Sequence, residues 1–121
     1  VTAFDASGRA NLGHALETVV LNELERRKAA VGYVKTAEGF EVDFHVRNLA
    51  GGEELIQVCA DPSAGETRER ELRSLKQAAR DYPRVTRRLL VLGRDQALPV
   101  TAPGVRVQPA YEWLLAGSRQ D

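Results

Sequence analysis

The 121-residue sequence has no methionine, one cysteine and two histidines, and its charges cancel, with 17 Lys and Arg against 17 Asp and Glu. Each shortage excludes something. A lone Cys59 cannot close an internal disulfide, so a reducing compartment, the cytoplasm, is expected. His14, His45 and Cys59 lie too far apart in sequence for zinc-ligand spacing. No apolar run approaches the roughly 20 residues that span a bilayer, so no membrane partner is expected. Val1–Ala10 has neither the basic start nor the apolar stretch of a signal peptide. Zero net charge gives the surface as a whole no pull on nucleic acid. The missing methionine, absent even at position 1, suggests a piece excised from a longer polypeptide. No Gly-x-x-x-x-Gly-Lys loop is present, so this piece is not expected to bind ATP.

What remains is ordinary globular material, 43% apolar and 28% charged, long enough for one domain (1–121) and too short for two. Leu12, Leu16, Val19, Val20 and Leu24 recur at helical spacing and predict a helix over about residues 10–29, capped by Asn11 or Ser7. Val31–Lys35 is short and β-rich. Phe40–Arg47 alternates, with Val42, Phe44 and Val46 on one side and Glu41, Asp43, His45 and Arg47 on the other. A hairpin loop through Gly51-Gly52 leads to a third strand, Glu54–Ala60, with Ile56 and Val58 opposite Leu55, Gln57 and Cys59. Ser63 with Glu66 fits a capping box, Thr67 being the alternative cap, for a second helix whose stripe is Leu72, Leu75, Ala79 and Tyr82. Arg88–Gly93 is apolar enough for a strand buried on both faces. After a loop over 95–104, Val105–Val107 forms a short strand, and Pro109 opens a last helix with Trp113 and Leu114 in the core.

The basic residues are uneven. Arg68, Arg70, Arg73, Lys76 and Arg80, followed by Arg84, Arg87 and Arg88, are interleaved with Glu66, Glu69, Glu71 and Asp81. On a helix this mixture predicts a solvated face with i,i+4 ion pairs rather than a track for phosphates.

Two carboxylates and one polar pair are candidates for chemistry. Glu17 lies beside the buried positions Leu16 and Val20. Asp43 lies mid-strand between Val42 and Phe44, where burying a carboxylate is costly unless it is paired or metal-bound. An Arg, Lys35 or Tyr33 could pair it. Gln57 and Cys59 share the face on which Asp43 could be their neighbour. Cys59 as a nucleophile would need a base, and His45 is the candidate; otherwise Cys59 is core. His14 reads as a surface residue.

The order of elements and these positions resemble the PD-(D/E)XK nuclease superfamily, whose core is αβββαβ. The resemblance implies a restriction-endonuclease-like α/β fold, a mixed central sheet flanked by helices. It implies Glu17 as the helix acid, Asp43 as the strand acid, and Gln57-Val58-Cys59 in place of the (D/E)-x-K triplet. Glu17, Asp43 and Gln57 would then be the ligands for Mg²⁺ or Mn²⁺. The triplet departs from the pattern. A glutamine oxygen is a weaker ligand than a carboxylate, and a soft cysteine suits neither Mg²⁺ nor the role of a lysine cation.

Five segments in order are also similar to the C-terminal domain of unknown function found in many prokaryotic AAA-type ATPases: Leu16-Glu17 to Arg27, Glu41–Phe44, Leu55–Val58, Thr67–Leu72 and Trp113–Leu115. This resemblance implies an ATPase module of the same polypeptide as partner. The expectation is a catalytically degenerate accessory domain binding DNA or a protein. The alternatives are an active metal-dependent nuclease, its site completed by Glu17, Asp43, Glu54 or another displaced carboxylate, and a structural module forming homo-oligomers.

Overall fold

The computed structural model describes the backbone of residues 2–119 and the side chains of residues 11–117. The elements run α1 (Thr2–Arg26), β1 (Ala30–Lys35), β2 (Glu41–Arg47), β3 (Glu53–Val58), α2 (Gly65–Ala78), β4 (Thr86–Val91), α3 (Arg94–Ala97), β5 (Val105–Pro109) and α4 (Ala110–Arg119). This is the expected order with one added turn of helix, α3, inside the loop read over 95–104. The fold is mixed α/β, a five-stranded sheet in the order β1-β2-β3-β4-β5 flanked by helices. β1, β2 and β3 form an antiparallel meander, whereas β4 joins β3 and β5 joins β4 in parallel. β3 is therefore the strand at which the sheet changes sense.

Alternating side chains supply a core on each face. Leu16, Val20 and Leu24 of α1, with Ala110 and Trp113 at α4, pack on Phe44, Val46, Ile56, Val58 and Leu90. Leu75 and Ala78 of α2 pack on Val42, Leu55, Cys59, Leu89 and Val91, with Leu72, Ala79 and Tyr82 alongside. Of the stripe read for α1, Leu16, Val20 and Leu24 pack, whereas Leu12 and Val19 are exposed; the α2 stripe packs as read, and β4 is buried on both faces as its apolar run requires. Among the described residues no buried side-chain nitrogen or oxygen lacks a hydrogen-bond partner. No helix among them is long and apolar enough to cross a membrane.

Several boundaries fall elsewhere than expected. α1 runs through both Ser7 and Asn11, so it begins at neither, there being no proline to stop it earlier. It ends at Arg26 because Lys28 turns to φ 59°. Ala29 N–H then reaches back to the Leu24 carbonyl (3.1 Å) and Lys28 N–H to that of Glu25 (3.0 Å), a Schellman closure with lysine where glycine is usual. At α2 neither Ser63 nor Thr67 caps: the N-cap is Ala64, without a side-chain bond, and Ser63 N–H is held by Asp61 Oδ1 (3.0 Å). Pro109 closes β5 opposite Val91, and the helix opens one residue later at Ala110.

The largest departure is in β2. Gly32 pairs with His45 but Val34 pairs with Val42, so β2 carries one extra residue there. This bulge breaks the alternation. Val42 goes to the α2 side, and Phe44 and Val46 go to the α1 side, not all three to one face.

Candidate functional site

The bulge determines how Asp43 meets Gln57. β2 and β3 are in register from Arg47–Glu53 to Phe44–Ile56, after which the backbone ladder stops. Asp43 and Gln57 would be the next pair, and their side chains replace the missing rungs. Asp43 N–H donates to Gln57 Oε1 (2.8 Å), and Gln57 Nε2 donates to the Glu41 carbonyl (3.1 Å). Val58 N–H donates to Asp43 Oδ2 (2.8 Å). Gln57 is 2% exposed and both ends of its amide are engaged. A neutral amide suits this position because it can accept from one backbone group of β2 and donate to another, which a carboxylate cannot do.

Burial pushes the Asp43 carboxyl up to about 7. The Val58 N–H opposes that rise, while the negative charges of Glu17, Glu71 and Glu41 add to it. None of the partners expected for Asp43, an Arg, Lys35 or Tyr33, is among its hydrogen bonds, and Tyr33 is bonded to Glu41 instead. Burial also raises the Glu71 carboxyl, against the cation of Arg70 (Nε–Oε1 3.5 Å). Glu17 stands close enough to raise both Asp43 and Glu71, although it is half-exposed and lies 4.0 Å from His14. Three carboxylates from α1, β2 and α2 thus gather near the end of β3, beside a cleft of about 550 Å³ lined by Asp43, Gln57, Arg70 and Glu71.

Glu71 is the residue the sequence reading passed over, counting it in a solvated face. Its signal was present: Glu71 lies four residues before Leu75, so it shares the buried stripe of α2. Glu54, the carboxylate named as a possible replacement, does not join. It accepts from Arg88 Nε (2.9 Å) and Asn48 Nδ2 (3.0 Å), three residues back along β3, about 10 Å from Gln57.

Cys59 and His45 are not a pair. His45 Nε2 meets Glu53 Oε2 (2.6 Å), and its ring lies 4.5 Å from that of Tyr82. It pairs across the ladder with Leu55, four residues from Cys59, about 13 Å along the strand. Burial pushes the Cys59 thiol up to about 11, so it is held as a thiol in the α2-side core. A reactive cysteine needs the opposite environment.

Of the three ligands expected for a divalent metal, Gln57 is the one committed to the backbone at both ends of its amide. A cation there would compete with Asp43 N–H for Gln57 Oε1 and with Val58 N–H for Asp43 Oδ2. Among the described residues, no three His, Cys, Asp or Glu side chains form a group able to hold a metal. In comparisons with known proteins, no family model, no curated protein and no solved structure matches this chain.

Proposed function

We propose that this chain is an accessory domain of restriction-endonuclease-like, PD-(D/E)XK type whose hydrolytic site is silent, and that it serves an AAA-type ATPase module of the same polypeptide by binding rather than by catalysis. The observation that carries this reading is the Gln57 amide, which bridges Asp43 N–H and the Glu41 carbonyl. The position that would hold a catalytic carboxylate instead repairs the sheet. An Asp43 carboxyl pushed up to about 7 is half-protonated at neutral pH, which weakens it as a cation ligand. A Cys59 thiol among apolar neighbours supplies no positive charge to a phosphoryl group.

The gathering of Glu17, Asp43 and Glu71 favours a second reading, a metal-dependent nuclease in which Glu71 replaces the lost triplet acid. Plasmid and single-stranded DNA cleavage with Mg²⁺ or Mn²⁺ separates the two, comparing the chain with Asp43→Ala and Glu71→Ala. The silent-site reading expects no cleavage above either variant. Metal-dependent cleavage lost in both variants would establish the nuclease.

A further inference from the structure

We propose that a basic groove between α2 and β4, distinct from the Asp43 site, holds the phosphodiester backbone of a nucleic-acid strand. The carboxylates of α2, Glu66, Glu69 and Glu71, are confined to its first half, where they are interleaved with Arg68 and Arg70. From Arg73 to Arg88 the sequence has six cations and a single carboxylate, Asp81. Arg88 faces the other side of the sheet and is held by Glu54. The other five, Arg73, Lys76, Arg80, Arg84 and Arg87, make no ion pair among the described residues. The i,i+4 pairing that the interleaved sequence predicts does not form, and the one ion pair on α2 is Arg70 with Glu71.

Four of the five, all but Arg84, line a concave surface. Arg73, Lys76 and Arg87 line a cleft of about 470 Å³ between α2 and the loop before β5. An adjoining hollow of about 340 Å³ shares Lys76 and Arg87 and adds Arg80. Arg87 comes from β4, and its guanidinium rests against Gly104, whose φ of 75° and bare α-carbon let the loop approach. A helix whose end merely attracts cations would not draw in an arginine from a strand.

Spacing identifies the ligand. Arg73 and Lys76 lie about one turn apart on α2, roughly 4.5 Å along its axis, and Arg80 follows in the turn just past its last residue, Ala78. A strand of a duplex advances about 3.4 Å along the axis per phosphate, so cations spaced on this scale suit consecutive phosphates of one strand. The aromatic in the groove, Tyr82, is stacked on His45, so nothing there is free to stack on a base. The contact is with backbone and indifferent to sequence. Zero net charge is consistent with this, because the balancing carboxylates lie elsewhere. Binding is accordingly modest and sensitive to salt.

The inference does not depend on whether the Asp43 site is silent, because the groove shares no residue with the Asp43 cleft. The test is fluorescence anisotropy of a labelled 20-base-pair duplex with the whole chain between 50 and 200 mM salt. The comparison is with Lys76→Glu/Arg80→Glu, two exposed positions at and just past the end of α2, and with the charge-matched control Lys35→Glu/Arg47→Glu at exposed positions of β1 and β2. The expected result is binding whose log affinity falls with log salt at a slope near −3.6, for about four phosphate contacts. In the groove variant affinity drops at least tenfold and the slope becomes shallower by about 2, while Lys35→Glu/Arg47→Glu binds within about twofold of the parent. Matching urea midpoints show that the groove variant is folded. The proposal is overturned by absence of binding at 50 mM salt, by binding that the groove variant leaves unchanged, or by capture of phosphatidylserine vesicles without DNA.

Discussion

Replacing the Gln57 amide by a carboxyl group, Gln57→Glu, changes almost nothing in shape and tests whether the side chain works as described. One oxygen can still accept from Asp43 N–H, but the other then faces the Glu41 carbonyl, where Gln57 donates. Two carbonyl-type oxygens at 3.1 Å repel, and the new group is buried beside Asp43. Protonation offers an escape, since a neutral acid can donate to Glu41. Against an ordinary value of about 4.3, staying protonated costs about 5 kcal/mol at pH 8 and about 1 kcal/mol at pH 5. These figures bound the damage, because the protein adopts the less costly state. The expected loss of stability is therefore about 3–5 kcal/mol at pH 8 and about 1 kcal/mol at pH 5. Urea titrations followed by Trp113, the single and buried tryptophan, report it directly. With a slope of about 1.5–2 kcal/mol per molar urea, the midpoint falls by about 2 M at the higher pH. A variant unfolded at pH 8 and folded at pH 5 meets the expectation. The control Gln57→Ala loses about 1–3 kcal/mol at both, by stranding backbone groups without adding charge. If Gln57→Glu is as stable as the parent at pH 8, or equally impaired at both pH values, Gln57 does not bridge the strands as described.

Three further perturbations address other parts of the molecule. Asp43→Asn keeps an oxygen for Val58 N–H but cannot ionise. Because the folded carboxyl is raised to about 7, its ionisation penalty is absent below about pH 4, grows between pH 4 and 7 and is complete above. The variant should therefore gain on the parent by about 1–4 kcal/mol across that window in paired melts; a pH-independent difference would count against it. Lys28→Gly relieves a left-handed lysine at the end of α1 and should stabilise by about 0.5–1 kcal/mol in thermal or urea unfolding, a loss refuting the Schellman account. Arg27 donates to the Trp113 carbonyl (2.7 Å) and to Glu23 (2.7 Å), with its guanidinium 4.2 Å from the indole centroid. Arg27→Ala should destabilise by about 2–3 kcal/mol, well beyond the effect of an exposed ion pair, and a loss below 0.5 kcal/mol by chemical denaturation would rule out that role.

Much of this architecture is visible in periodicity, because the apolar spacing of Leu16, Val20 and Leu24 and of Leu72, Leu75 and Ala79 records directly which helix faces are dry. The meander was legible for a similar reason, since Gly39 and Gly51 adopt positive φ in turns only a few residues long. The bulge was not. An inserted residue in β2 leaves the buried–exposed rhythm of Val42, Phe44 and Val46 intact while sending Val42 to a different core, so alternation alone could not reveal it. Asp43 and Gln57 were recognisable as out of place, yet their partners are backbone groups, and a sequence does not state which ladder bonds are missing. Glu71 and the groove were obscured by composition. Interleaved charges look paired when counted along the chain, and only the fold shows Arg87 of β4 brought beside Arg73, Lys76 and Arg80.

The contact between Arg27 and Trp113 spans 86 residues, and it has a bearing on synthesis. The meander and α2 can assemble from neighbouring segments as they appear. The sheet face beneath α1 is different, because Trp113 and Ala110 complete it. At about 5–20 residues per second, a ribosome needs roughly 4–17 s to travel from Arg27 to Trp113. For that interval Leu16, Val20 and Leu24 lack the cover of Ala110 and Trp113, and Glu23 holds Arg27 ready in place. Those seconds are when the nascent chain is most open to chaperones, and variants at Trp113 would lengthen that exposure before they affected any finished protein.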